Sequence, residues 1–167
     1  VLLMVMSLPN VAHSNAVDLG DNAFKSGHFE QAVQHWKAAL KQFALGGQNT
    51  QYIDTAVRLS AAYQALGSLA LANGILQRAQ ARVQQIDDPM RQANVLSQLG
   101  DIEMTSGNWK EAQIYLDDAE KKAREVNDTQ LVANILNKQG NLWLMREDYL
   151  DALKETITKY HPCIKQE

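Results

Sequence analysis

One cysteine in 167 residues, Cys163, cannot close an internal disulfide, so no disulfide framework holds this chain together. Charge of one sign is missing too. With 16 basic and 19 acidic residues the net charge is −3, which offers no electrostatic footprint for nucleic acid. The densest basic run, Lys121, Lys122 and Arg124, has Asp117, Asp118, Glu120 and Glu125 around it and reads as a solvated helix face. No segment alternates apolar and polar residues as a half-buried strand would, so no sheet is expected. Catalytic signatures are absent as well: there is no Gly-x-Ser-x-Gly elbow, no His-Glu-x-x-His, no phosphate-cradling glycine loop ending in Lys-Ser/Thr, and no Cys-x-x-Cys. His28 and His35 lie seven residues apart on one predicted helix, about 10 Å, too far to share a metal without further ligands. Cys163 and His161 sit in a tail with no orienting third group. The expectation is a protein that is not an enzyme and has neither metal nor cofactor. At 46% hydrophobic and 21% charged it has the composition of one ordinary globular domain, not of a disordered segment.

What the chain does have is a repeat. LGDNAFKSGHFEQAV, LSAAYQALGSLALAN, LGDIEMTSGNWKEAQ and QGNLWLMREDYLDAL follow one another at a spacing of forty residues. Gly20, Ser60, Gly100 and Gly140 hold the register, then Gly27, Gly67, Gly107 and Glu147, then Ala32, Ala72, Ala112 and Ala152. A fixed period of this size predicts a solenoid of helical hairpins. Ala16, Leu19, Gly20 and Ala23, with their echoes Ala56, Leu59, Ser60, Tyr63 and Leu96, Leu99, Gly100, share one face of a first helix. Phe29, Ala32, Val33, Trp36 and Ala39 form the matching face of a second helix, echoed from Leu69 to Ala79 and from Trp109 to Ala119. Small residues let two helices approach to about 8–10 Å, and one large residue per turn fills the remaining groove. The glycine between the helices suits the left-handed backbone of a helix C-terminus. Asp88-Pro89 and Asp128-Thr129 read as helix starts, with Asn49-Thr50 a looser version. Eight helices are expected, near 14–26, 28–43, 51–66, 68–86, 89–106, 108–126, 129–146 and 148–160.

In order, these small, aromatic, glycine and alanine positions resemble the tetratricopeptide repeat over roughly residues 14 to 160. The forty-residue spacing resembles the long-helix variety of kinesin light chains, Pins-type polarity adaptors and the arrays that precede CHAT domains in bacteria. The resemblance implies an all-α, right-handed superhelix of about four antiparallel hairpins, with units at 14–48, 49–87, 88–127 and 128–160. It implies a scaffold that binds a protein or an extended peptide, as the sensor or adaptor part of a larger bacterial protein. The alternative is a self-assembly element. The fourth copy departs from the pattern at Glu147, Thr156 and Lys159, which leaves its last helix in question.

In such a superhelix the first helix of each pair lines the concave wall. The positions turned away from the seam are Val17, Asp21 and Phe24; Val57, Ala61 and Gln64; Ser97, Asp101 and Met104; and Asn137, Asn141 and Leu144, with Asn94 and Asn134 one turn below. Asparagine both donates and accepts, so Asn94, Asn134, Asn137 and Asn141 suit the backbone of an extended peptide, while the apolar members suit side-chain anchors. Repeat modules that clamp a C-terminal carboxylate would want Lys and Asn where Val17 and Asp21 stand, so that ligand is disfavoured.

Residues 1–13 lie outside the repeat. The apolar run Val1 to Leu8 is too short to span a bilayer, and Ala12-His13-Ser14 fits the small-x-small pattern of a signal-peptidase site. Two readings stand. A signal-peptide remnant makes the protein periplasmic or secreted; a hydrophobic extension that packs on the array leaves it cytoplasmic. Leu150, Leu153 and Ile157 lie at helical spacing on the last helix, and with the apolar start they suggest a homodimer formed through either end. The tail spans 161–167.

Overall fold

The structure, a computed structural model, describes the backbone of residues 11–160 and the side chains of residues 15–147, 149 and 150. The run Val1 to Leu8 and the tail with His161 and Cys163 lie outside the described residues, and so do the side chains of Leu153 and Ile157. The chain is an all-α solenoid. Its helices are α1 (Val11–Lys25), α2 (Phe29–Leu45), α3 (Asn49–Ala65), α4 (Leu69–Val83), α5 (Pro89–Thr105), α6 (Trp109–Glu125) and α7 (Thr129–Tyr160). Among the described residues there is no strand, and no helix is long and apolar enough to cross a membrane.

Each of the first three units turns by the same device. Gly27, Gly67 and Gly107 take φ of +76°, +68° and +79°, a region that costs other L-residues about 1–2 kcal/mol. The following amide reaches back to close the helix end: His28 donates to the Ala23 carbonyl (2.9 Å), Ser68 to Tyr63 (2.8 Å) and Asn108 to Glu103 (2.8 Å).

The fourth unit corrects the expected count of eight helices and four hairpins. Glu147 occupies the position of the turn glycine, and without a residue suited to the left-handed region the backbone continues as one helix to Tyr160. Three hairpins and one long helix result among the described residues. The register glycines show the difference. A Cβ on Gly20 would lie 2.4 Å from Nε1 of Trp36, and one on Gly100 would lie 2.8 Å from Leu116, because the second helix of the hairpin presses on that point. At Gly140 a Cβ would meet nothing within 4 Å. The residue that permits close approach is present, but no described helix approaches it.

The seam alanines Ala32, Ala72 and Ala112 are fully buried, as are Leu76 and Leu116, and Trp36 is 2% exposed. Leu59 and Leu99 are buried against the preceding hairpin, whereas Leu19, expected on the same seam, is 44% exposed because no described helix covers that side of α1. Two apolar clusters result. One runs from α1 to α5; the other joins α5, α6 and α7 through Ala93, Leu116, Ile135 and Leu142.

The helix starts differ in how they are closed. Asp88 accepts from the amide of Arg91 (3.0 Å) and Asp128 from the amide of Leu131 (3.0 Å). Asn49 is not a cap: it is the first residue of α3, after Gln48, and its side chain accepts from Arg82 (2.7 Å). Asp128→Ala is expected to lower stability by about 1 kcal/mol. Hydrogen exchange checks this: the first-turn amides of α7 should lose protection while those of α3 do not change.

Candidate functional site

The first helices approach one another along one side of the solenoid, α3 against α5 and α5 against α7, whereas α2, α4 and α6 make no comparable approach among the described residues. The wall formed by α1, α3, α5 and α7 is therefore the inner one. Three ion pairs cross it like rungs: Asp21 with Arg58 (3.5 Å), Asp54 with Arg91 (2.8 Å) and Asp101 with Lys138 (2.6 Å). The partners stand 37 residues apart in each pair, one repeat less about one helical turn. Gln64 adds a neutral rung by donating to Gln98 (3.4 Å).

These rungs decide what the expected binding residues can do. Asp21 is engaged twice, by Arg58 and by the Trp36 indole, whose Nε1 also donates to the Val17 carbonyl (3.3 Å). Asp101 and Ser97 both take the Lys138 ammonium, at 2.6 and 2.8 Å, and Ser97 is buried instead of lining an open surface. Burial pushes the Asp101 carboxyl above its ordinary value, and the charge and hydrogen bond of Lys138 only partly offset this. Asp88 at the start of α5 also pairs with Arg91 of the middle rung; burial would raise its carboxyl, yet the backbone and side chain of Arg91 hold it below the usual carboxylate range. The Arg91 guanidinium is pushed up in turn, first by its hydrogen bond to Asp54 and then by that to Asp88. So Ser97 and Asp101 are structural cross-links between units, and Asp21 is largely one. Their partners Arg58, Arg91 and Lys138 were not singled out from the sequence.

Other expected residues remain open. Phe24, Val57 and Ala61 line a cleft of about 300 Å³ between α1 and α3, with Asp21, Lys25, Trp36, Arg58 and Gln98 around it. Phe24 is held by ring contacts to Phe29 (5.2 Å) and Trp36 (5.5 Å). Val17, Asn94 and Met104 are half-buried on the same wall. On α7, Asn134, Asn137 and Asn141 are exposed, and Leu144 is 67% exposed. Asn134 already accepts from Gln130 (3.1 Å), while Asn137 and Asn141 have no partner among the described residues. The wall thus presents an apolar cleft at α1/α3, a cross-linked middle, and free amides on α7. Among the described residues no group of three or more His, Cys, Asp or Glu is placed to hold a metal ion.

No family model matches the chain, and no curated protein matches it. Among solved structures it is similar to the crystal structure of BtubC (BKLC) from P. vanneervenii, with a TM-score of 0.66 over 95% of this chain and 69% of that one, at 17% identity. At that identity the likeness shows the fold alone.

Proposed function

We propose that the chain is a non-enzymatic scaffold module that binds an extended segment of another polypeptide along the wall of α1, α3, α5 and α7. One observation carries this reading: the wall joins an apolar cleft at Phe24, Val57 and Ala61 to the unpartnered amides of Asn137 and Asn141. The cleft suits a side-chain anchor, and the amides suit the donors and acceptors of a peptide backbone. Solenoids of stacked hairpins offer extended surfaces of this kind. The forty-residue period and the left-handed turn glycines support reading the units as long tetratricopeptide-like repeats. The rungs argue against a carboxylate clamp, since Arg58, Arg91 and Lys138 are each held by an aspartate of the chain itself.

Selection from a displayed library of extended peptides tests the proposal, with affinities of the enriched sequences measured on the parent and on Asn137→Ala/Asn141→Ala. The double variant is expected to bind more weakly by about 1–3 kcal/mol, the cost of unpaired polar groups in the complex, at an unchanged melting temperature. Peptides that bind both proteins equally, or no enrichment at all, would remove the wall as the binding surface.

A further inference from the structure

One helical stripe of each first helix faces the second helix of its own hairpin. In α3 it runs through Ala56 and Ser60, both 0% exposed, and in α5 through Gly100, also buried. The same stripe in α7 is Leu136, Gly140 and Trp143, and it is bare: Leu136 is 44% and Trp143 51% exposed. Trp143 and Leu142 also line a cleft of about 480 Å³ with Trp109 and Ile114 of α6. The helix that would cover this stripe exists in the sequence. Tyr149 and Ala152 repeat Trp109 and Ala112 in register, so residues 148–160 carry the beginning of a second-helix pattern. With α7 straight through Glu147, that segment points away from the stripe it matches.

We propose that two copies of the chain exchange this segment, residues 148–160 of each lying antiparallel on the Leu136–Gly140–Trp143 stripe of the other. The two α7 helices would cross near Glu147 on a two-fold axis, which makes the contact isologous and closed. In the intact hairpins Gly20 meets Trp36 and Gly100 meets Leu116; the corresponding pair is Gly140 with Thr156, here taken from different copies. Exchange needs only the two-residue turn to be opened into helix, which the Glu147 substitution for glycine has already done. It also gives Gly140 a reason: in the single chain a glycine in mid-helix costs stability and makes room for nothing. The proposal concerns a face of α7 different from that carrying Asn137 and Asn141, so it stands or falls separately from peptide binding.

Light scattering on the full chain tests it. The expected mass is twice 18.6 kDa at tens of micromolar protein. Gly140→Leu should weaken association at least tenfold while helicity and melting of the monomer are kept, because a Cβ at this position meets nothing among the described residues, whereas the leucine side chain blocks the incoming helix. Gly140→Cys with Thr156→Cys, in a Cys163→Ser background, should give a cross-linked dimer on oxidation. A monomer at all concentrations would overturn the proposal. So would a dimer indifferent to Gly140→Leu, or a cross-link confined within one chain, the sign that the segment folds back on its own α7.

Discussion

Replacing Trp36 by alanine is expected to cost about 3–5 kcal/mol, the range for truncating a large buried aromatic. Trp36 is the bulkiest of the fully buried side chains, and its indole reaches across to α1 at the point where Gly20 has no side chain. Its Nε1 holds both the Val17 carbonyl and Asp21. Removing the ring therefore leaves a cavity that Gly20 cannot fill, and it releases Asp21 to Arg58 alone. Because each unit touches mainly its neighbours, the loss should fall on α1 and α2 and split the urea transition, with hydrogen exchange of α1 rising first. A single transition within 1 kcal/mol of the parent would show that the Gly20–Trp36 contact does not hold the first hairpin.

The second large effect concerns the rung between α5 and α7. Breaking a fully buried ion pair by removing one partner costs about 3–5 kcal/mol. Here Lys138 and Asp101 are 22% and 19% exposed, so solvent screening reduces the expected loss for Lys138→Met to about 2 kcal/mol at neutral pH. The pH dependence carries the sign. Asp101 is already raised in the folded protein by burial, so the folded state takes up its proton more readily than the unfolded chain. Ionised Asp101 therefore works against folding, and its penalty disappears as pH falls through the raised value. Without Lys138 the penalty is larger and relief in acid is greater. The deficit of Lys138→Met relative to the parent should shrink below the folded-state pKa of Asp101, and denaturant titrations at neutral and acidic pH would show it. A deficit that stayed constant, or grew in acid, would mean that Asp101 is not the group left stranded.

The period, the turn glycines and the seam alanines were all legible in the sequence because they act locally. A left-handed backbone position wants glycine whatever surrounds the hairpin, and a close helix approach wants a small residue at fixed spacing. Asp88 and Asp128 cap their helices for the same reason, since the amides they satisfy lie three residues on. The inner wall was legible as a set of positions but not as a set of states. Whether Asp101 is a ligand contact or a cross-link depends on Lys138, a residue 37 positions away, and nothing local to Asp101 reveals it.

Sequence alone determined that this protein is a helical solenoid and where its first three hairpins turn, because those features follow from backbone conformation and side-chain size within one unit. Tertiary structure decided the rest. It turned Asp21 and Asp101 inward to rungs between units, since cations one turn short of a repeat away lie directly opposite them, and it drew Ser97 onto the same Lys138 ammonium as Asp101. It also settled the last helix, which Glu147 at the turn position had left in question: α7 continues through that position to Tyr160, and Gly140 meets nothing among the described residues.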